Sequence, residues 1–355
     1  MGKIKVLIVD DSALVRKLLK DILDKDPAIE VVGVAPDPLI AIQKIKQFEP
    51  AVLTLDIEMP RMDGLTFLGK LMKSHPMPVL MFSSLTEQGA EATMKALALG
   101  AIDFLPKPKA NLSAGIEDLS FELTSKLKAI SQAKLKKAIS PPTLSVPPKL
   151  SMDAIIQANK TKPVELGEKV LVIGASTGGT VALEQILNKL PETAPPTLIV
   201  QHMPPVFTKS FADRVNSLSA MRVVEAKNGD RLMRGLVLIA PGGKHMLVNQ
   251  DRNGYYITIK EGPPVNRHIP SVDVLFRSAA NTLGPNAIGV ILTGMGDDGA
   301  RGMKEMKDTG AFTIAQDEET CVVFGMPKVA IELGGVDKVL PLPFISGFIM
   351  NLVKT

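Results

Sequence analysis

Residues Val170-Leu-Val-Ile-Gly-Ala-Ser-Thr-Gly-Gly-Thr180 pass from an apolar run into a glycine-rich turn with Ser176 at its centre. The pattern reads as strand, turn and helix start. Gly174 and Gly178 remove side chains that would crowd a hydroxyl held between strand and helix, which makes Ser176 a candidate nucleophile. A glycine-rich turn opening a helix after a strand is also how a dinucleotide phosphate site begins, and the turn alone leaves the two readings even. The next apolar run, Thr197-Leu-Ile-Val-Gln-His202, ends in a histidine where a nucleotide fold would carry Asp or Glu for the ribose. Ala287-Ile-Gly-Val-Ile-Leu-Thr-Gly294 reads as a buried strand delivering Met295-Gly-Asp-Asp298. Strand ends of an open parallel sheet face one crevice, so a serine, a histidine and an aspartate distant in sequence can meet there as nucleophile, base and orienting acid.

A second set of chemically capable residues lies near the start. Asp10 and Asp11 follow the apolar run Lys3–Val9, Asp56 follows Ala51–Leu55, Ser83 follows Pro78–Phe82, and Lys107 follows Asp103–Leu105. With a further run at Ile29–Ala35 and amphipathic helical stretches between, the pattern predicts a five-stranded doubly wound parallel sheet with right-handed crossovers. Any one acid at a strand end is ordinarily an exposed loop residue. Three carboxylates brought to one crevice repel one another and call for a hard divalent cation with oxygen ligands, for which magnesium is the natural choice.

Composition bounds the rest. A chain of 355 residues is expected to divide into two domains, and 45% hydrophobic with 4% aromatic residues predicts cores of Val, Ile, Leu and Met. A formal net charge of +4 is too small to imply nucleic acid, and no helix-turn-helix pattern or basic stripe follows the first domain. The opening residues lack the form of a secretory leader, and no apolar run approaches the roughly 20 residues of a membrane span. A cytoplasmic protein without membrane insertion is expected, and the single cysteine, Cys321, fits that compartment and receives no function.

Beyond Asn111 a helical, lysine-dotted segment runs to about Lys137. Ser140-Pro-Pro-Thr-Leu-Ser-Val-Pro-Pro-Lys149 then favours extended, solvated chain. Met152–Ala158 reads as a short, transient helix. The expected division is a first domain at 1–125, a linker at 126–165 and a second domain at 166–355. Between Arg222 and Lys260 the turn signals Asn228-Gly, Pro241-Gly-Gly and Asn253-Gly favour antiparallel hairpins beside a mainly parallel α/β core. The Gly-x-Ser-x-Gly pattern at 174–178 matches the nucleophile turn of α/β-hydrolases, but their chain order is Ser, acid, His, so that fold is rejected.

Residues 1 to about 125 resemble a response-regulator receiver domain, with Asp56-Ile-Glu-Met-Pro-Arg-Met-Asp-Gly64 close to its phosphorylation segment. The resemblance implies that Asp56 accepts a phosphoryl group from a histidine kinase. It also implies that Asp10, Asp11, Asp56 and Glu58 hold Mg2+, that Ser83 and Lys107 contact the phosphoryl oxygens, that Phe104 is the switch aromatic, and that Lys107–Pro108 is cis. The whole chain resembles the chemotaxis protein-glutamate methylesterases. The motifs are Ala175-Ser-Thr-Gly-Gly179, Gln201-His-Met-Pro204, Ala240-Pro-Gly-Gly-Lys-His245, Pro270-Ser-Val-Asp-Val-Leu275 and Leu292-Thr-Gly-Met-Gly-Asp-Asp-Gly299. Carried over by position, Ser176 is the nucleophile, His202 its base, Asp298 the orienting acid and the Met295 amide an oxyanion donor. Asp297 stands where the family commonly has asparagine, so two adjacent carboxylates compete for one role, and Asp298 is preferred.

The resemblance further implies hydrolysis of glutamate methyl esters on methyl-accepting chemotaxis receptors, deamidation of receptor glutamines, and a chemotaxis histidine kinase as phosphoryl donor. No cofactor is expected for the hydrolysis itself. The competing reading is a phosphorylation-gated nucleotide-binding or interaction module without hydrolase activity. His245 and His268 fall in second-domain loops that could rim the crevice, and His75 reads as a surface residue. No histidine pair has the spacing of a zinc motif. The family arrangement, a receiver covering the crevice until phosphorylated, predicts that a fragment starting near Lys162 outruns the unphosphorylated whole.

Overall fold

The structure, a computed structural model, describes residues 2–59, 61–107, 116–131, 149–159, 163 and 168–354. The chain separates into two compact units, Met1–Ser140 and Pro141–Thr355. In the first, β1 (Ile4–Val9), α1 (Ala13–Leu23), β2 (Ile29–Ala35), α2 (Pro38–Phe48), β3 (Val52–Asp56), α3 (Gly64–Ser74), β4 (Val79–Ser83), α4 (Glu87–Ala98), β5 (Asp103–Pro106) and α5 (Ile116–Ser131) alternate. The strands form one parallel sheet in the order β2-β1-β3-β4-β5. Val6, Leu7, Ile8 and Val9 are all buried although successive residues face opposite sides, as expected of a strand covered by helices on both faces. The side chains of Ser12, Asp37, Asp63 and Thr86 cap α1 to α4, so each helix begins directly after a strand-end loop. The strand order reverses between β1 and β3, and that reversal opens the crevice at the ends carrying Asp10 and Asp56.

The second unit contains β6 (Val170–Ala175), α6 (Gly179–Leu187), β7 (Thr197–Gln201), α7 (Phe207–Leu218), β8 (Arg222–Glu225), β9 (Leu236–Ile239), β10 (His245–Asp251), β11 (Gly254–Lys260), α8 (Val272–Thr282), β12 (Ala287–Ile291), α9 (Ala300–Asp308), β13 (Phe312–Gln316), α10 (Met326–Glu332), β14 (Lys338–Leu340) and α11 (Leu342–Lys354). Seven strands lie parallel in the order β14-β13-β12-β6-β7-β9-β8, again reversing beside the first strand, here between β6 and β12.

Of the expected antiparallel hairpins, the one at Asn253-Gly254 forms, joining β10 to β11. The turn at Asn228-Gly229 instead begins a return run that carries the chain from the end of β8 to the start of β9, so these two strands pair in parallel. That run is fastened to the hairpin by Gly229 N–H to Ile257 O at 2.8 Å and Leu232 N–H to Tyr255 O at 3.1 Å. Its hydrogen-bonding groups are satisfied from a distance, which the local turn signal could not show.

Helix α8 is buried on every side from Val272 to Ala280, lying against β6, β10 and α9. Its polar residues are correspondingly partnered: Asp273 accepts from Gly302 N at 2.7 Å, Ser278 Oγ accepts from Val248 N at 3.0 Å, and Arg277 pairs with Glu305 and Asp153. A Cβ on Gly174 would lie 2.2 Å from Val272 Cγ1, so glycine there is required by the approach of α8 to β6. The expected short helix after the proline-rich stretch is a 3-10 turn over Met152–Ala154. Met152 and Ile155 are buried in an apolar cluster with Leu247, Val265 and Val274. Pro108 and residues 132–148 lie outside the described residues, and with them the expectations for the Lys107–Pro108 bond and the proline-rich stretch.

Candidate active site

Strands β12, β6 and β7 lie side by side, and each releases one candidate at its end. Ser176 follows β6 and His202 follows β7, one step beyond the paired residues Ala175 and Gln201. The turn between them is tied across the strands. His202 N donates to Ala175 O at 3.1 Å, Gln201 Nε2 to Ser176 O at 3.0 Å, and Ser176 N to Thr293 O at 3.1 Å. Gly178 opens α6 with φ +77, a left-handed conformation that glycine adopts without strain, and a Cβ there would strike Val322. Ser176 itself is 8% exposed, enough for the crevice to reach it.

The His202 ring is bonded through Nε2 to Asp298 Oδ2 at 2.7 Å, while Nδ1 is buried with no partner among the described residues. A buried ring nitrogen without a partner is costly, and here the cost leaves a proton acceptor uncommitted on a residue whose backbone N–H is tied to Ala175, next to Ser176. If Asp298 receives the Nε2 proton, Nδ1 is the lone-pair nitrogen and hence the base. His268 stacks on this ring, with centroids 3.7 Å apart and planes 10° from parallel.

Asp298 is 1% exposed and accepts five hydrogen bonds: from His202 Nε2, Ser271 Oγ (2.8 Å), Asn266 Nδ2 (2.8 Å), and the N–H groups of Val272 (2.7 Å) and Asp273 (3.2 Å). The last two belong to the first turn of α8, whose unsatisfied N–H groups and dipole favour an anion. Burial alone would raise this carboxyl, but the bond and charge of His202, with His268 and Asn266 adding to them, hold it well below the usual carboxylate range. The neighbouring Asp273 carboxyl is pushed up to about 7 by burial and by the charge of Asp298. Asp297 points elsewhere. Its half-exposed carboxylate meets Lys149 Nζ at 2.5 Å. The N–H of Met295, on the turn joining β12 to these acids, has no hydrogen-bond partner among the described residues and remains available to an oxyanion.

His245 is closed off from solvent. It is fully buried at the start of β10, accepts from Ser271 N through Nδ1 (3.3 Å) and donates from Nε2 to Pro263 O (3.0 Å). Burial lowers its pKa, so it is a neutral, fixed tautomer that props the residue capping α8.

In the first unit, carboxylate oxygens of Asp10, Asp11 and Asp56 lie within 4.8 Å of one another. Lys107 Nζ bonds Asp56 Oδ2 at 2.6 Å and lies 3.7 Å from Asp10 Oδ2. Burial pushes the Asp56 carboxyl up to about 6 against the opposing hydrogen bond of Lys107, and burial raises Asp10 as well. Asp10 Oδ2 is buried without a hydrogen-bond partner among the described residues. A carboxylate oxygen left so, beside two more acids, fits a magnesium site. The Glu58 carboxylate is not part of this cluster. It is exposed and accepts from Ser84 Oγ at 3.3 Å, because the chain has left β3 and turns its backbone to the site, with Glu58 N facing Asp56 Oδ1 at 3.3 Å. Ser83 Oγ is engaged by Gly89 O at 2.9 Å, and Phe104 is buried, with Lys126 Nζ over its ring and bonded to its carbonyl at 3.0 Å.

The family model for CheB methylesterase matches residues 171–349, and that for the response regulator receiver domain matches residues 6–116. The chain belongs to the CheB methylesterase family. A Geobacter metallireducens protein named protein-glutamate methylesterase/protein-glutamine glutaminase 3 is 53% identical over 353 residues, covering 99% of each chain. A Hydrogenovibrio crunogenus protein named protein-glutamate methylesterase/protein-glutamine glutaminase is 49% identical over the whole of both. The crystal structure of the Thermotoga maritima CheB methylesterase catalytic domain covers 52% of this chain and 98% of that one, with 43% identity and a TM-score of 0.51.

The sequence alone assigned no role to Asn266 or Ser271, although both hold Asp298. Neither follows a strand, and a polar residue in a loop gives no signal until its partner is known. Cys321 stays without a role. Burial, with Asp317 beside it, pushes its thiol well above the usual range, so little thiolate is present. Cys321→Ser is expected to leave turnover within about twofold, as a surface-like change does. Inactivation by a thiol reagent that this substitution prevents would contradict that.

Proposed function

We propose that the chain hydrolyses γ-methyl esters of receptor glutamates and deamidates receptor glutamines, under the control of its receiver. The observation that carries this reading is the His202 ring, bound to buried Asp298 through one nitrogen and uncommitted at the other, on a residue whose backbone N–H is tied to Ala175, next to Ser176. Ser176 Oγ attacks the ester carbonyl while His202 Nδ1 takes its proton, and the Met295 N–H receives the oxyanion. The imidazolium returns the proton to the departing methoxy oxygen, releasing methanol; from a glutamine side chain the same step releases ammonia. Water, deprotonated by His202, then cleaves the acyl-serine and frees the glutamate. Asp298 stays ionised throughout and stabilises the imidazolium.

In the receiver, Asp56 is the acceptor of the phosphoryl group, donated by a chemotaxis histidine kinase, with Lys107 placed to neutralise the incoming charge. Asp10, Asp11 and Asp56 would hold magnesium, which when bound supplies positive charge against the phosphoryl oxygens. Ser83 and Phe104 are the groups that respond, the first by leaving Gly89 O for the new phosphoryl group. The site of action is the cytoplasmic face of receptor-bearing membranes. No helix among the described residues is long and apolar enough to cross a membrane, which accords with substrates reached from solution. We take 1–131 as the receiver, because Leu127 and Ile130 of α5, placed in the linker by sequence, are buried in its core, and 166–355 as the catalytic domain. Residues 149–159, placed in the linker by sequence, go with the latter because they pack into it.

The nucleotide-binding alternative is weaker, because Ser176 N and Gly179 N of the glycine-rich turn donate to Thr293 O and Ser176 O instead of facing a phosphate. The test is methanol release from methylated receptor membranes, with and without an acyl-phosphate donor and magnesium. The donor should raise the rate of the whole protein, and Asp56→Asn should abolish that rise while leaving the basal rate. Absence of methanol release from the active, phosphorylated protein would refute the esterase reading.

A further inference from the structure

Asp298 is held from two sides that differ in rigidity. Ser271 Oγ and the N–H groups of Val272 and Asp273 come from the start of a fully buried helix. Asn266 comes from a loop whose backbone is left-handed at two successive non-glycine residues, φ 49 at Asn266 and φ 70 at Arg267. Such conformations persist only where the surroundings over-determine them. Both N–H bonds of the Asn266 amide are committed, one to Asp298 Oδ1 at 2.8 Å and one to Asp273 Oδ2 at 2.7 Å. The amide therefore has a single orientation, with its nitrogen between two buried acids.

What fixes the loop comes from an unexpected part of the chain. Asn266 N donates to Leu150 O at 3.0 Å, and Val265 is buried with Met152 and Ile155. The segment carrying these residues is itself fastened at several points. Asp153 Oδ1 and Ile156 O accept from Arg277 Nη1 at 2.5 and 3.2 Å, Ile155 O accepts from Lys260 Nζ at 2.6 Å, and Lys149 Nζ meets Asp297, the residue preceding the acid. Residues 149–158 thus run as a strap from the Asp297 turn across α8 to β11.

We infer that Asn266 is a positioning residue that aligns Asp298 on His202, and that the strap 149–158 sets Asn266. The inference rests on the reading of Ser176, His202 and Asp298 given above. Without the amide, Asp298 loses one of its two side-chain donors other than His202 and is no longer shielded from Asp273. It can then turn away from Nε2, and the base loses its orientation.

Asn266→Gly removes the amide while keeping the left-handed backbone and the N–H to Leu150. Because a hydrogen bond to a charged group contributes roughly 1.5–3 kcal/mol, kcat for methanol release should fall about 10- to 100-fold. KM should change less than about threefold, since the amide acts on the transition state and not on uniform binding. Met152→Ala, in the strap's buried anchor, should lower kcat in the same sense, and the double variant should be no slower than Asn266→Gly, because the strap acts through that residue. A wild-type kcat in Asn266→Gly, or a rise in KM alone, would overturn the positioning role. Multiplying effects in the double variant would overturn the strap's route, and Met152→Ala gives this arm a reading even if Asn266→Gly were poorly folded. Serine-dependent methanol release by the wild type, measured in parallel with Ser176→Ala, separates failure of this inference from failure of the esterase reading.

Discussion

Ser176→Ala should reduce methanol release by about a thousandfold or more, and His202→Ala should do the same. The two changes combined should cost little beyond either alone. A hydroxyl without its base is a poor nucleophile, and the base without the hydroxyl has nothing to activate, so each single change already removes the function of the pair. The folded structure should survive both. Ser176 is anchored by its backbone, through Ser176 N to Thr293 O and Gln201 Nε2 to Ser176 O, and neither bond uses the hydroxyl. Removing the His202 ring takes away one of five donors to Asp298 and leaves the other four. Methanol release by Ser176→Ala at a rate near that of the wild type would eliminate the acyl-serine.

Asp298→Ala and Asp297→Asn should differ in effect by orders of magnitude although the residues are neighbours of the same type. For Asp298→Ala the expected loss is again about a thousandfold or more, because the imidazole loses both its tautomer and its counter-charge. Ser271, Asn266 and two helix N–H groups would also be left donating into an empty space, at a cost of about 1–3 kcal/mol for each buried group, so some loss of thermal stability should accompany the loss of rate. Asp297 faces Lys149 with 41% of its side chain exposed, where an ion pair contributes no more than about 1 kcal/mol. Asp297→Asn keeps the shape and can still accept from the lysine, so turnover within about threefold of wild type is expected. Rate measurements on the two purified variants decide between the carboxylates, and a severe defect in Asp297→Asn would reverse the assignment.

Much of this arrangement was legible in the chain because parallel strands buried on both faces must be apolar throughout. Val170–Ala175, Thr197–Gln201 and Ala287–Ile291 announce themselves; Ser176 and His202 come directly after the first two, and Asp298 stands on the turn that follows the third. The receiver strands are legible for the same reason, as are Asp10, Asp56 and Lys107 at their ends. What could not be read depends on partners remote in sequence. Arg222–Glu225 and Leu236–Ile239 are short, the first is half-polar, and their parallel pairing depends on a return run secured by the hairpin. Glu58 carries the right charge in the right neighbourhood, yet its backbone and not its carboxylate faces Asp56. His245 resembles a catalytic histidine by type and motif, and only its complete burial behind Ser271 shows it to be a prop.

The strap also changes where this chain can be divided. A cut near Lys162, just ahead of the second domain as the sequence divides the chain, would sever Leu150, Met152, Asp153 and Ile155 from the loop and helix they hold. A dissected catalytic piece begun there would confuse release from the receiver with injury to its own acid. A piece begun ahead of Lys149 would carry its support with it. In the intact chain the same continuity has mechanical meaning: a pull on the chain ahead of Lys149 bears first on the Lys149–Asp297 pair, next on the Leu150–Asn266 bond, and through Asn266 on Asp298.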